Sequence, residues 1–248
     1  MSGPRAIFTN SIGASSQITI SSNLAGFSKQ NLLDEYKQSL HRTATSVGTI
    51  TYTIDLGAAT NIRSLLIFNH NYRTSGGTFT LKYGATSPPT HIATLSSVTP
   101  SVWISFFATH SARFWTYTAR QSNPSGFHSI GELRLAQYRE FTFWFDDKWE
   151  KSHDSMETVV QTTGGVRWRL PSFERKSLTL TWTEIGDNQD KTYWSEIFAS
   201  RKKNKPFFII PNPSLPSGAM FCTIKSMLKF RQQNLDLFSM QVELEEEL

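Results

Sequence analysis

Apolar and polar positions alternate along most of the first half of the chain, and that alternation predicts strands. Thr49-Ile50-Thr51-Tyr52-Thr53-Ile54-Asp55-Leu56 is apolar at every second position and rich in β-branched side chains, and Gly57 ends it. Residues 61–69 (NIRSLLIFN) are mostly apolar, the pattern of a strand buried on both faces. A Gly76-Gly77 turn leads into a clean alternation over 78–83, and Pro88-Pro89 breaks the chain. Residues 103–107, 114–119 and 131–136 predict further strands. The first thirty residues are rich in Ser, Ala, Gly and Asn and read as extended or loop, and 31–36 is at most a helical turn. Short strands with turn signals and no long helix predict a β-sandwich.

The pattern changes near residue 140, which divides the chain into domains 1–139 and 140–248. Residues 141–145 predict a strand, Asp146 to Gly165 a long polar loop, and 176–184 an alternating strand. Asp187 to Lys205 has helical periodicity, with Tyr193, Trp194, Ile197 and Phe198 toward one face. Asp187 or Asp190 can cap its start, and Pro206 stops it. Strands follow at 207–210, 221–224, 227–231 and 237–244. The prediction is a mainly β protein: an N-terminal sandwich, then an antiparallel β domain with one helix.

Composition agrees. Among 248 residues there are 18 Phe, 7 Trp and 7 Tyr, and only 18% are charged, a balance that favours strands. Cys222 is the single cysteine, so no intrachain disulfide or cysteine-only zinc site is expected, and a reducing compartment fits. Met1 to Gly13 has no long apolar run, so no leader is expected, and no stretch predicts membrane insertion. Residues 1–140 hold 11 Lys+Arg against 5 Asp+Glu, and residues 141–248 hold 14 against 15. The basic first half can attract anions. No Lys/Arg stripe with interleaved aromatics is present, so nucleic acid is not an expected partner. The run Arg201-Lys202-Lys203-Asn204-Lys205 reads as a helix C-terminal cap.

Chemistry-bearing motifs are missing. There is no G-x-S-x-G, H-E-x-x-H, P-loop or G-x-G-x-x-G. The six histidines show no metal-ligand spacing, and Gly186 to Asp190 lacks the glycine and distal glutamate of a calcium loop. Asp146-Asp147 would point to opposite faces of a strand. The expectation is a non-enzyme with no metal and no cofactor.

Several short segments recur in an order that carries a resemblance. Asn-Leu-Leu-Asp at 31–34 precedes a loop at Leu40-His41-Arg42-Thr43-Ala44. Ile54-Asp55-Leu56-Gly57 precedes the apolar strand ending Asn69-His70-Asn71, and Arg113-Phe114-Trp115 precedes Ile130-Gly131-Glu132-Leu133-Arg134-Leu135. This order resembles the discoidin or galactose-binding-like jelly roll, over about half the chain. The second half is similar to the small β domain shared by phage tail-tube and distal-tail proteins. That similarity rests on the loop at 146–169 with Thr162-Thr163-Gly164-Gly165, the strand at 178–182, the single helix before Pro206-Phe207-Phe208-Ile209-Ile210, and the closing strand 237–245.

The paired resemblance implies a structural virion component near the tip of a long-tailed phage tail, assembled in the host cytoplasm. Its partners would be other tail proteins, copies of itself in a ring (six favoured over three), and host surface polysaccharide. The alternative is a free lectin-like carbohydrate-binding protein with no virion role. Asn69, His70, Asn71, Tyr72 and Arg73 enter a loop after the apolar strand. Their polar groups can meet sugar hydroxyls while Tyr72 stacks on a pyranose, or they can cap the loop's own backbone. His41 and Arg42 lie where relatives carry ligand residues, and Arg120, Asn123 and Phe127 belong to a later loop. Trp103, Trp115, Trp144 and Trp182 read as core. Trp149 and Trp168 border the 146–165 stretch and read as subunit contacts.

Overall fold

The computed structural model describes residues 3–247 apart from 37, 45–47, 74–76, 122–126, 143–149, 157–158, 162–166, 170–172, 187–188, 216–217, 227 and 235–236. The protein is mainly β with antiparallel pairing and, among the described residues, one α-helix. It divides into two compact units. One holds Arg5–Arg139 and Ile210–Ala219; the other holds Met1–Pro4, Glu140–Ile209 and Met220–Leu248.

In the first unit, the segments read as separate strands at 49–56 and 61–69 form one 22-residue strand, Thr49–His70. It runs through Gly57, whose φ of 79° suits only glycine without strain. Asp55 stabilises this bend by accepting the Gly57 N–H and a two-pronged bond from Arg113 at 2.7 and 2.8 Å. The first arm, Thr49–Asp55, pairs with Phe114–Arg120, and the second, Ser64–Phe68, pairs with Val102–Phe106. Two layers follow. Ile18–Ile20 and Gly77–Gly84 join the first arm's layer, with His91–Ala93 at its edge, and Glu132–Ala136 joins the second. Ile50, Tyr52, Ile54, Trp115, Tyr117 and Leu81 from one layer meet Leu65, Ile67, Trp103, Leu133 and Leu135 from the other in one buried cluster. The alternation that predicted the strands thus fixes their inward faces. Leu65 to Phe68 are all buried, as the continuous apolar run requires.

In the second unit, the sheet runs in the order Phe207–Ile210, Met220–Ile224, Leu237–Glu246, Phe173–Gly186, Glu150–Met156, and Lys229–Asn234 also pairs with Leu237–Glu246. The helix spans Gln189–Arg201 and buries Tyr193, Trp194 and Ile197. Phe141 stacks on Trp194 at 5.2 Å, and Trp182 meets Trp194 edge-on at 5.5 Å. Asp190 is not the cap. It lies buried in the first turn and accepts the Thr142 N–H at 2.9 Å; Asp187 lies outside the described residues.

The largest correction concerns 146–165. Glu150–Met156 is a strand in register with Phe173–Thr179, and Val159–Gln161 pairs with Arg167–Arg169. The stretch was expected to be a loop because Glu150-Lys151-Ser152-His153-Asp154-Ser155 offers no apolar face for alternation to reveal. Phe141 and Thr142 do not belong to a strand, and Trp144 and Trp149 lie outside the described residues. Trp168 falls in the strand Arg167–Arg169, and its side-chain surroundings lie outside the described residues. Trp103, Trp115 and Trp182 are core, with at most 2% exposure.

Candidate site at the loop end of the first unit

Hydrogen bonds tie four loop segments of the first unit together at one end of its layers. Leu24 donates to the Arg42 carbonyl at 2.9 Å, and Thr43 to the His128 carbonyl at 3.0 Å. The His128 N–H returns to the Thr43 hydroxyl at 2.9 Å, and Ala44 donates to the Ser22 hydroxyl at 3.2 Å. Asn71 clamps the last segment: its Nδ2 donates to the Phe127 carbonyl at 2.8 Å and its Oδ1 accepts from Ser129 at 3.0 Å. Gly131 donates to the carbonyls of Phe68 and Asn69. A Cβ at Gly131 would stand 3.0 Å from the Asn69 Cβ, so the close approach needs glycine. Asn69 itself has a φ of 51°, a conformation asparagine tolerates better than most residues.

Arg42 touches rings from two of these segments. Its guanidinium carbon lies 4.6 Å from the Phe27 ring centre and 4.9 Å from that of Phe127, and all three side chains are half-buried. Its Nε is buried without a hydrogen-bond partner among the described residues. Beneath it lies an interior polar cluster. The Tyr52 hydroxyl is 3.3 Å from His41 Nδ1, while His41 Nε2 has no partner among the described residues. Burial lowers the His41 pKa to about 4, so the ring is neutral at neutral pH. Tyr72 and Tyr117 are buried beside Tyr52, and burial raises all three phenols well above their ordinary value. The Tyr72 hydroxyl lies within hydrogen-bonding reach of the Tyr52 and Tyr117 hydroxyls. Both polar atoms of the Gln121 amide, which is 2% exposed, have no partner among the described residues. Buried polar atoms are nearly always satisfied, so the unpaired Gln121 amide and His41 Nε2 stand out here.

The expected residues divide accordingly. Arg42 and Phe127 come together at the surface. His41 lies beneath them, fully buried. Asn71 bonds the backbone of the 127–129 segment rather than that of its own loop. His70 stacks on Tyr72 at 5.1 Å, accepts the Tyr72 N–H on Nδ1, and has its pKa lowered to about 4 by burial. Tyr72 is corrected: at 5% exposure, packed against Phe79 at 5.1 Å and His128 at 5.7 Å, it offers no face to a pyranose. Arg73 is exposed beside the loop. Arg120 is exposed on the outward side of its strand, opposite the inward series Trp115, Tyr117, Ala119 and Gln121. Asn123 lies outside the described residues. Phe27 and Gln121 were not foreseen. A lone aromatic in a Ser- and Gly-rich segment was the available signal for Phe27, and extending the strand's alternation by two residues would have found Gln121.

Two further grooves are open surfaces. One of about 450 Å3 is lined by Ile92, Leu95, Phe106, Phe107 and His110. Another of about 490 Å3 in the second unit is lined by Thr181, Lys229, Arg231, Gln241 and Glu243.

No family model matches the chain, and no curated protein matches it. Solved structures do. Chitosan-binding module 1 of a chitosanase/glucanase from Paenibacillus sp. IK-5 is 16% identical over 52% of this chain and 99% of its own, with a TM-score of 0.44. CBM32-5 of GH89 from Clostridium perfringens is 14% identical over 53% of this chain and 99% of its own, at 0.41. A GH29 fucosidase from Ruminococcus gnavus is 15% identical, at 0.43, over 54% of this chain but only 27% of the fucosidase.

Proposed function

We propose that the first unit is a non-catalytic saccharide-binding module whose ligand rests on Phe27 and Phe127 and is held by Arg42. The observation that carries this reading is the Arg42 guanidinium, set against two half-buried rings with its Nε unpaired among the described residues. Contact with the rings orients the guanidinium plane and leaves planar, rigid N–H donors for ligand oxygens. The rings supply apolar area for the C–H face of a sugar, and few polar groups then set its orientation. The solved modules bind chitosan and GalNAc-β-1,3-galactose; at this level of similarity those ligands do not transfer, and the proposal rests on the loop end. Titration of the full chain with a panel of polysaccharides tests it. Arg42→Ala and Phe127→Ala are each expected to weaken binding by about tenfold, or ~1.4 kcal/mol, with unfolding midpoints nearly unchanged. Equal affinity in both variants overturns the reading.

A second reading is favoured by the hairpin of the second unit. Leu237–Glu246 accompanies Phe173–Gly186 only from Ser177 onward. Beyond that point His153 to Met156 pair with Phe173 to Lys176 alone, and Val159–Gln161 with Arg167–Arg169. A two-stranded arm is marginal in water without a partner. Under this reading the arm joins copies of the chain in a virion tail, assembled in the host cytoplasm. Sedimentation with and without residues 157–170 checks it: the full chain should self-associate and the shortened chain should not. A full chain monomeric at all concentrations removes the support.

A further inference from the structure

Resting on the saccharide reading, we propose that the loop-end site takes an anionic glycan, a sugar polymer bearing carboxylate or sulfate oxyanions. The described loop residues at this end, 21–28, 41–44, 69–73, 77, 120–121 and 127–131, include Arg42, Arg73 and Arg120 and not one Asp or Glu. The acids elsewhere in the unit are committed. Asp55 is bonded by Arg113, whose hydrogen bonds hold its pKa down at about 2. Glu35 and Glu132 both meet Arg134, and Asp34 accepts the Tyr36 N–H. Among these described loop residues no carboxylate offsets the arginine side chains or offers a charged acceptor to sugar hydroxyls.

The described side chains at the surface instead present donors. Arg42 has a buried Nε lacking a partner among the described residues and a guanidinium set against two rings. Arg73 stands exposed beside the Asn71 clamp. A planar guanidinium matches the two oxygens of a carboxylate or sulfate, while the rings take the sugar face. His41 and His70, neutral through burial, add no charge, so the cation is carried by arginine across the neutral pH range.

The test is calorimetric titration of the full chain with polygalacturonate, alginate and dextran sulfate, with methyl-esterified polygalacturonate, galactan and dextran as neutral counterparts, and with single-stranded DNA. At least one anionic glycan is expected to bind about tenfold tighter than its neutral counterpart. That preference should shrink as salt rises from about 50 to about 500 mM. Arg73→Glu, an exposed change that leaves the fold intact, should weaken the anionic ligand about fivefold or more and leave any neutral one unchanged. The ratio of uronate to sulfate affinity identifies the source of the oxyanion. Equal binding of neutral and anionic glycans overturns this proposal and leaves the saccharide reading standing. Binding of none overturns both. DNA bound as tightly as the glycans overturns it as well, because charge alone would then be recognised.

Discussion

Trp115→Ala is expected to destabilise the first unit by about 3–5 kcal/mol. Trp115 is fully buried, lies 5.4 Å from the Tyr83 ring and 6.2 Å from Phe107, and donates its Nε1–H to the Ala112 carbonyl at 3.3 Å. It stands where the paired arms bring both layers onto one cluster, and rigid strands on either side limit collapse into the cavity. A domain is stable by only about 5–15 kcal/mol, so much of the unit's stability is at stake. Urea unfolding followed by near-ultraviolet circular dichroism measures the effect. Ile92→Ser, at a residue 64% exposed, should shift the midpoint little. A Trp115→Ala loss below about 1.5 kcal/mol would contradict the placement of this core.

Arg134→Ala should be comparably damaging, by about 3–5 kcal/mol, and its effect should depend on pH. Arg134 is fully buried, with Nε 3.0 Å from Glu132 and Nη2 3.3 Å from Glu35. Glu132 is 2% exposed, and burial raises its pKa to about 7 even though Arg134 pulls it down. Between the unfolded value near 4.5 and about 7, the folded protein therefore keeps a proton that the unfolded chain releases. Stability from this group is greatest below that window and falls as pH rises through it. Without Arg134 the Glu132 carboxylate has lost its main counter-ion, so the Arg134→Ala loss should be larger at pH 8 than at pH 5. The paired replacement Glu132→Gln with Arg134→Met removes both charges and should cost less than Arg134→Ala alone. Unfolding free energies at the two pH values decide this; equal losses at both would show that Glu132 is not the buried acid described.

These two predictions turn on residues of different legibility. Trp115 was readable as core because its strand alternates apolar and polar positions, and such periodicity survives into the sheet. Glu132 and Arg134 alternate with Leu133 and Leu135 in the same way, which marks them as outward, but whether an outward face meets solvent is a tertiary fact that period alone does not carry. The same limit explains Tyr72. Its polar neighbours place it in a loop, yet the loop turns back so that the ring packs on Phe79 and His128. The strand Glu150–Met156 was hidden for the opposite reason, since both its faces are polar and nothing alternates. At the candidate site, the resemblance to the galactose-binding-like jelly roll pointed to the loop that carries Arg42, and Phe127 was singled out only as part of a later loop. Phe27 was not, because it reaches Arg42 from a segment with no strand pattern of its own.

Hydrogen–deuterium exchange of the full chain, with and without the tightest polysaccharide of the panel, tests the saccharide site most directly. The account predicts slowed exchange confined to segments 22–28, 41–44, 69–73 and 127–131, and its loss in Arg42→Ala. Protection that leaves these segments unchanged and appears instead in the second unit, or no protection with any glycan, would contradict it.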